Sequence, residues 1–569
     1  MKTNYLNLLV FLCVVINLLL ALLFLKLNTY PNWAFFLYLI CTGVFYFSFV
    51  PFNMLKLLIK KYRFDLILAV VIVTLSLALY LFRVTNITPG LWGDEISLGY
   101  MAEELNQKNT FTPFIPYNLG HPTPLIYISA FFIHIMGKNL LSLRIVSLLF
   151  GAFSVGLYYL FLRQYFKRLL AISGSLLFAT TYVFIIVTRF AYEMSATIFF
   201  FIFTSFFLLI ISKRLSKTTI VLFGLSLGAG LYTYLAFRTV GIVFLGICVL
   251  IIWRQKKTKI LYYLLLVTSL LLILLPLFAY SLNHPTEINQ RVQSLSVFSQ
   301  DLSKTEIIKE LHGAAYRTFG LFFFSGDPNP RQNPANTTPF DFLTVILLLG
   351  GIGILIKNNR WLAVCLIALI LTILITEIVT LEVIPEFHYY GLGHPNTLRI
   401  SLLVPLVIFS CVWALNHLQQ FLQKHIANPL ISNFVIITIV LIITSINIHR
   451  YFFQKISYWT YSTNYVPVLK IVTYLNQTKP KNIVAISPSL SNSLHFRYLL
   501  NPNIKLTKLS ISHDCYIINF PEKLALVINT DLAGCSKTQL QAIVDNPKFS
   551  TSFISSPWNT IDALIIQHK

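Results

Sequence analysis

The sequence predicts an all-α polytopic membrane protein of about thirteen transmembrane helices, followed by a small α/β domain. Three observations carry that prediction. The 569-residue chain is 56% hydrophobic with a mean hydropathy of +0.73, and only 11% of it is charged, where soluble domains carry about 25%. Its apolar residues fall in long runs, many of membrane-spanning length, and most of its Lys and Arg fall in short clusters between those runs. The net charge of +23 therefore reads as topology and contact with anionic lipid rather than as a nucleic-acid groove. No RNA- or DNA-binding motif accompanies it.

The first run, Tyr5 to Leu25, is longer than the core of about 7–15 residues of a signal peptide and has no small-residue cleavage site, so a retained helix is expected. The second, Trp33 to Leu55, leads into Lys56, Lys60, Lys61 and Arg63, a cluster that the positive-inside rule assigns to the cytoplasm. The third, Phe64 to Phe82, then exits and delivers Asp94-Glu95 to the outer face. Pro122 to Met136 offers only about 15 residues, against the ~20 needed to span, and is expected to lie in the outer interface. Skipping it lets Arg144 to Leu162 run inward and keeps every later basic cluster inside. The remaining spans are Leu169–Thr188, Ser195–Ile211, Thr219–Ala236, Val240–Trp253, Leu261–Tyr280, Phe340–Ile356, Trp361–Val379, Leu398–Leu415 and Leu430–Ile448, with a long outer loop at 281–339. The expected organisation is two additional N-terminal helices (1–63), a main transmembrane domain (64–449) and an extracytoplasmic C-terminal domain (450–569). Asn482–Ile486 and Leu524–Ile528 read as its strands and Lys537–Val544 as a helix. Five cysteines sit in apolar runs as small buried residues. Cys515 and Cys535 share the polar tail, where an oxidising compartment would allow a disulfide.

In this acid-poor chain the stretch Leu91-Trp92-Gly93-Asp94-Glu95 stands out. Ionisable groups at a membrane boundary are costly and mark functional sites. The competing reading makes Asp94 a helix N-cap contributing about 1 kcal/mol, and on those residues alone the two stand level. With the topology above, the other polar clusters reach the same face: Gly120-His121-Pro122; Arg189, Tyr192 and Glu193; Tyr232, Tyr234 and Arg238; Arg291, Gly326-Asp327 and Arg331; His388, Tyr389, His394 and Arg399. Arginine forks bind phosphate bidentately, and a carboxylate activates a hydroxyl acceptor, so this convergence suits a lipid-phosphate substrate. Each residue also has a plainer role. Arg189 and Arg238 could snorkel to headgroups, single tyrosines commonly belong to an interfacial belt, and the histidines match no zinc spacing. Glu103-Glu104 reads as a solvated helix face, and Asn336-Thr337-Thr338 fits a glycosylation pattern that is frequent by chance.

Taken together, Asp94-Glu95, the His121-Pro122-Thr123-Pro124-Leu125 segment, Arg144, Arg189-Phe190-Ala191-Tyr192-Glu193, Gly230-Leu231-Tyr232-Thr233-Tyr234 with Arg238, and Gly326-Asp327 with Arg331 and Asn333 resemble membrane glycosyltransferases of the GT-C superfamily. The resemblance is to the protein O-mannosyltransferase and lipid A aminoarabinose transferase families, bacterial type, and covers roughly Phe64 to Ile448. It implies transfer of a sugar from a polyprenyl-phosphate donor to an acceptor hydroxyl on a glycan, lipid or protein of the cell envelope, at the extracytoplasmic face of the cell membrane. It makes Asp94 the catalytic base or an acceptor-positioning acid, with Glu95 beside it and Glu193 as the second-loop acid. His121, Arg189, Tyr232, Tyr234, Arg238, Asp327, Arg331, His394 and Arg399 become substrate-binding candidates. No cofactor is assigned, and a divalent metal is left open. The aminoarabinose transferases carry a Glu-Lys where this chain has Gly120-His121, and the long loop holds no MIR domain. The runner-up from another class is a transporter or flippase of a lipid-linked substrate, but such proteins keep their charges near the midplane on broken helices and in repeats, and no repeat is visible here.

Overall fold

In the computed structural model the described residues are 2–50, 52–108, 110–255, 260–329, 336–380, 393–426, 428–455, 457–478, 483–486, 490, 493–508, 524–528, 549–555, 557 and 561–568. Arg331, Asn333, His388, Tyr389, Cys515, Cys535 and the expected helix at 537–544 lie outside them. Nine helices among the described residues are long and apolar enough to cross a membrane, and the chain is a multi-pass membrane protein. They are Leu8–Leu27 of α1 (Lys2–Leu27), Lys60–Leu81 of α3 (Phe52–Leu81), α6 (Leu140–Leu162), α9 (Met194–Lys213), α11 (Ala236–Arg254), α12 (Ile260–Asn283), α16 (Arg360–Ile378), α18 (Leu403–His425) and α19 (Pro429–Phe452). A tenth forms if the bent pair α7 (Arg168–Thr180) and α8 (Tyr182–Thr188) is one span.

Three more of the thirteen expected spans are helices too short for that criterion: α2 (Asn32–Ser48), α10 (Lys217–Gly230) and α15 (Phe342–Asn358). The second expected run breaks after Ser48, and the Lys56–Arg63 cluster falls on α3, which bends at Tyr62 (φ −107°, ψ 17°), near the start of its span. The Pro122–Met136 segment forms the short helix α5 (Pro124–Met136), as its length requires.

Breaks in apolar helices must be satisfied internally, because lipid offers no hydrogen bonds. The α7–α8 pair bends by 62° at Thr181. Thr180 and Thr181 turn their hydroxyls back onto the carbonyls of Leu176 and Leu177, both at 2.7 Å, and the Tyr182 N–H donates to Asn447 Oδ1 at 3.1 Å. In α12, Pro276 has no N–H for the Leu272 carbonyl, and the Tyr38 hydroxyl donates to that oxygen instead. Tyr232 bridges the next gap: its hydroxyl accepts from Leu277 N–H (3.3 Å) and donates to Ile273 O (3.0 Å). Small residues bring helices together elsewhere. A Cβ on Gly351 of α15 would lie 1.9 Å from the Ser410 carbonyl oxygen of α18.

Two cores result. The larger fills the helix bundle; the smaller joins Leu91, Ile96 and Met101 to Ile126, Leu143, Ala191, Ile471, Leu490 and Phe496. It unites α4 (Gly93–Gln107) and α5 with α21 (Val466–Thr478) and α22 (Leu494–Leu499), and so crosses the expected boundary at residue 450. Beyond it lies a five-stranded sheet in the order β4-β3-β5-β7-β6: β3 (Ile483–Ile486), β4 (Leu506–Lys508), β5 (Leu524–Ile528), β6 (Phe549–Ser555) and β7 (Ile561–His568). β3 pairs in parallel with β4 and β5, whereas β7 pairs antiparallel with β5 and β6.

Candidate active site

Helix α4 opens with Trp92, not Asp94, as its N-cap, so Asp94 is not the cap. The Trp92 N–H donates to Glu95 Oε2 at 3.0 Å, the carboxylate half of a capping box. Glu95 is 1% exposed and faces the 2%-exposed Arg144 of α6 as a two-point pair, Nε–Oε1 2.8 Å and Nη2–Oε2 3.0 Å. Its Oε1 also accepts from Ala191 N–H at 2.9 Å. Arg144 spends its other donors on the carbonyls of Val84 (2.9 Å) and Gly90 (2.8 Å). One carboxylate thus fastens the 84–92 segment, α6 and the 189–193 turn together. Asp94, one residue earlier, is half-buried, with Asn118 Nδ2 at 3.5 Å from its Oδ1.

Asn118 belongs to a tight hairpin between β1 (Phe114–Ile115) and β2 (His121–Pro122). Its reversal uses left-handed backbone at Asn118 (φ 50°), Leu119 (67°) and Gly120 (87°). A Cβ on Gly120 would meet the Phe114 ring at 2.4 Å, so glycine is required there. The hairpin drives His121 inward, 1% exposed, with Nδ1 2.7 Å from Glu193 Oε1. His121 Nε2 lies 3.2 Å from Asn118 O and 3.5 Å from Arg291 Nη1. Arg291, on α13 (Pro285–Leu295), donates from Nη2 to the Tyr192 hydroxyl at 2.6 Å and lies over the Tyr234 ring, 5.3 Å from its centre. Its buried Nε–H has no hydrogen-bond partner among the described residues. The side chain of Arg238, at the start of α11, makes no hydrogen bond or ion pair with any described residue, yet lies close enough to act on Glu193. Burial works to raise the Glu193 pKa. The charge and hydrogen bond of His121, with Arg291 and Arg238, outweigh it and hold the carboxyl below the usual range. Burial pushes the Tyr192 hydroxyl well above its ordinary value; Arg291 opposes the shift, and Glu193 and Asp94 add to it, so both acids bear on the same phenol.

Asp94, His121, Glu193, Tyr234 and Arg238 are therefore brought together, and Arg291 and Tyr192 join them. Arg291 is, in the sequence, only one of the long loop's cations; its signal is an arginine four residues before the end of the short amphipathic helix that follows α12. Arg189 and Tyr232 are turned to other work. Arg189 donates to the carbonyls of Tyr80 (2.9 Å), Phe82 (2.7 Å), Arg83 (3.1 Å) and Ile87 (3.4 Å), closing the C-terminal end of α3, and the Tyr232 hydroxyl is held in the α12 break.

His394, Arg399 and Asp327 gather in a second cluster around Glu377, near the end of α16. Glu377 is fully buried, accepts from Asn396 N–H at 2.7 Å, and lies 3.1 Å from His394 Nδ1 and 3.5 Å from Arg399 Nη1. Asp327 accepts from Asn329 N–H (2.9 Å) and Thr397 N–H (2.8 Å). The two clusters adjoin, since Thr376 beside Glu377 donates to Thr239 beside Arg238 at 2.9 Å. The signal for Glu377 in the sequence is a lone acid inside an apolar run.

The C-terminal part closes the acidic stretch from behind. Leu91 N–H donates to Asn464 O at 2.9 Å, and the Leu91 carbonyl meets His495 Nε2 at 3.0 Å. His495 stacks on Tyr465 with ring centres 4.0 Å apart, and burial pushes its pKa down to about 4. Among the described residues no group of three or more His, Cys, Asp or Glu is placed to hold a metal ion.

Residues 120–280 match the family model described as dolichyl-phosphate-mannose-protein mannosyltransferase. No curated protein sequence matches the chain. Among solved structures it is similar to ArnT from Cupriavidus metallidurans bound to undecaprenyl phosphate (12% identity, 89% of this chain and 98% of that one, TM-score 0.46). It is similar also to the same protein in the apo state (11%, 88% and 97%, 0.43) and to the oligosaccharyltransferase of Archaeoglobus fulgidus (12%, 88% and 72%, 0.43). The matched segment contains His121, Arg189, Glu193, Tyr232, Tyr234 and Arg238, and with it the resemblance read from the motifs, to membrane glycosyltransferases of the GT-C superfamily, is borne out.

Proposed function

We propose that this protein transfers a sugar from a polyprenyl-phosphate donor to an acceptor hydroxyl at the membrane surface. The observation that carries the reading is a pair of arginines with uncommitted donors, Arg238 and Arg291, beside two acids, at the acidic end of the bundle and inside the segment's family match or next to it. A lipid phosphate needs cationic forks at the water–lipid boundary, and both arginines offer them. Arg189 shares an Nε–H unpartnered among the described residues, but its terminal nitrogens are spent on four backbone carbonyls, and we assign the phosphate to Arg238 and Arg291.

In the proposed reaction the acceptor oxygen forms a bond to the anomeric carbon as the bond from that carbon to the phosphate oxygen breaks. The electron pair leaves on the polyprenyl phosphate, whose growing charge the two guanidinium groups stabilise, and the acceptor proton passes to Asp94. Asp94 is the candidate because it is half-buried and sits within the cluster. Glu95, with both oxygens saturated by Arg144, Trp92 and Ala191, acts as a positioning residue. The His121–Glu193 pair holds the hairpin and the 189–193 turn in register and orients the acceptor. The basic clusters at the other helix ends support an extracytoplasmic orientation of this face, through the positive-inside rule. A transporter reading is less favoured, because the described acids and arginines of the site sit at helix ends and in loops.

Membranes containing the protein should incorporate label from at least one member of a panel of radiolabelled polyprenyl-phosphate sugars and release free polyprenyl phosphate in equal amount. Sugar movement across vesicles without release of the lipid phosphate would replace this reading with transport.

A further inference from the structure

A cavity of about 300 Å³ lies inside the bundle at the end opposite Glu193, between α6, α9, α11, α16 and α18. Its walls are mainly aromatic and aliphatic, with Phe161, Phe201, Phe244, Trp361 and Phe409 among them. Two of the polar groups inside are already satisfied: the Tyr158 hydroxyl donates to Pro405 O at 2.7 Å and the Ser205 hydroxyl to Phe201 O at 2.8 Å. Water entering would find few partners, and apolar cavities are dry unless an apolar guest fills them. In a bilayer the abundant apolar guest is a lipid chain.

The mouth has a different character. Ser212, Lys213 and Asn359 line it and are exposed. Arg254, also exposed, stacks on the lining Trp361 with its guanidinium 4.2 Å from the ring centre. Arg214, Lys357 and Arg360 stand exposed on the same helix ends. The acid described at this end, Asp65, is committed to Arg163 and Arg168, each at 3.1 Å. A hydrophobic slot beneath a ring of cations matches one class of molecule, an anionic phospholipid of the adjoining leaflet.

We propose that this cavity binds one anionic phospholipid, with an acyl chain among the aromatic side chains and the headgroup phosphate between Lys213 and Arg254. The site is separate from the proposed donor site. Glu193 and Lys213 stand at opposite ends of the 20 residues of α9, about 30 Å apart at 1.5 Å per residue. It places a lipid where five helices meet, in contact with both α9 and α11, whose other ends carry Glu193 and Arg238.

The test reads Trp361 fluorescence in the full chain reconstituted with lipids brominated on their acyl chains, the Trp361 signal being isolated by difference from Trp361→Phe. Brominated phosphatidylglycerol should quench it at a several-fold lower mole fraction than brominated phosphatidylcholine. In Lys213→Gln/Arg254→Gln the two lipids should become equivalent while quenching itself persists. Equal quenching by both lipids in the unaltered protein would overturn the proposal, because a non-selective bilayer contact then suffices. So would a Trp361 signal untouched by either lipid while the remaining tryptophans are quenched. The lipid comparison needs no variant beyond Trp361→Phe, so a misfolded charge variant leaves it decisive.

Discussion

Removing one partner of the Glu95–Arg144 pair should unfasten the site before it touches the chemistry. Glu95 takes two charge-assisted hydrogen bonds from Arg144 and two backbone N–H bonds, all between 2.8 and 3.0 Å. Bonds to charged groups contribute about 1.5–3 kcal/mol each, and breaking a buried pair from one side costs about 3–5 kcal/mol because the remaining charge is stranded. Glu95→Gln and Arg144→Met should each lose about that much. The double variant strands no charge, so its loss should fall short of the sum of the two by at least about 2 kcal/mol. Unfolding of the purified protein in mixed micelles, followed by tryptophan emission, measures all three. Additivity within about 0.5 kcal/mol, the behaviour of independent sites, would refute the argument that one carboxylate holds the 84–92 segment, α6 and the 189–193 turn together.

Other expectations follow from the same geometry. The phosphate assignment predicts that Arg238→Gln and Arg291→Gln raise KM for a polyprenyl-phosphate sugar by tenfold or more, whereas Arg189→Gln chiefly lowers thermal stability by uncapping α3. Steady-state kinetics beside melting curves separate the two. His495 has a pKa near 4 when folded, against an ordinary 6.5. The unfolded chain therefore binds more protons between those values, and stability falls as pH drops through that window, by about 3 kcal/mol at most. Melting midpoints between pH 7 and pH 4 should show this slope in the unaltered protein and lose much of it in His495→Gln. Gly120→Ala forces a side chain into left-handed backbone and onto Phe114, at a cost of about 1–3 kcal/mol. Activity should fall with stability, because the hairpin carries His121.

Much of the helical architecture can be read from the run lengths and the basic clusters, because lipid imposes one arithmetic on every span. That arithmetic weakens where side chains repair a broken helix. Asn447 at Tyr182, and Tyr38 and Tyr232 across the break at Pro276, make local exceptions through partners far away in sequence. The same holds for the site. Asp94, His121, Glu193 and Arg238 announce themselves as polar groups at the ends of apolar runs. The division of labour among them does not, since Arg189 and Arg238 are alike in sequence but differ in whether backbone carbonyls lie within reach. The part played by residues 457–504 is the least legible of all. His495 sits 404 residues from Leu91 and Asn464 sits 373, and only the fold shows that they seat it.

Single-turnover sugar transfer by Asp94→Asn tests the central claim most directly, run beside the unaltered protein with saturating polyprenyl-phosphate sugar. The substitution keeps size and hydrogen bonding while removing the base, so the rate should fall by at least about 100-fold, with donor binding and melting temperature unchanged. A variant that keeps most of the rate would contradict the assignment of the base, and with it the proposed chemistry of this site.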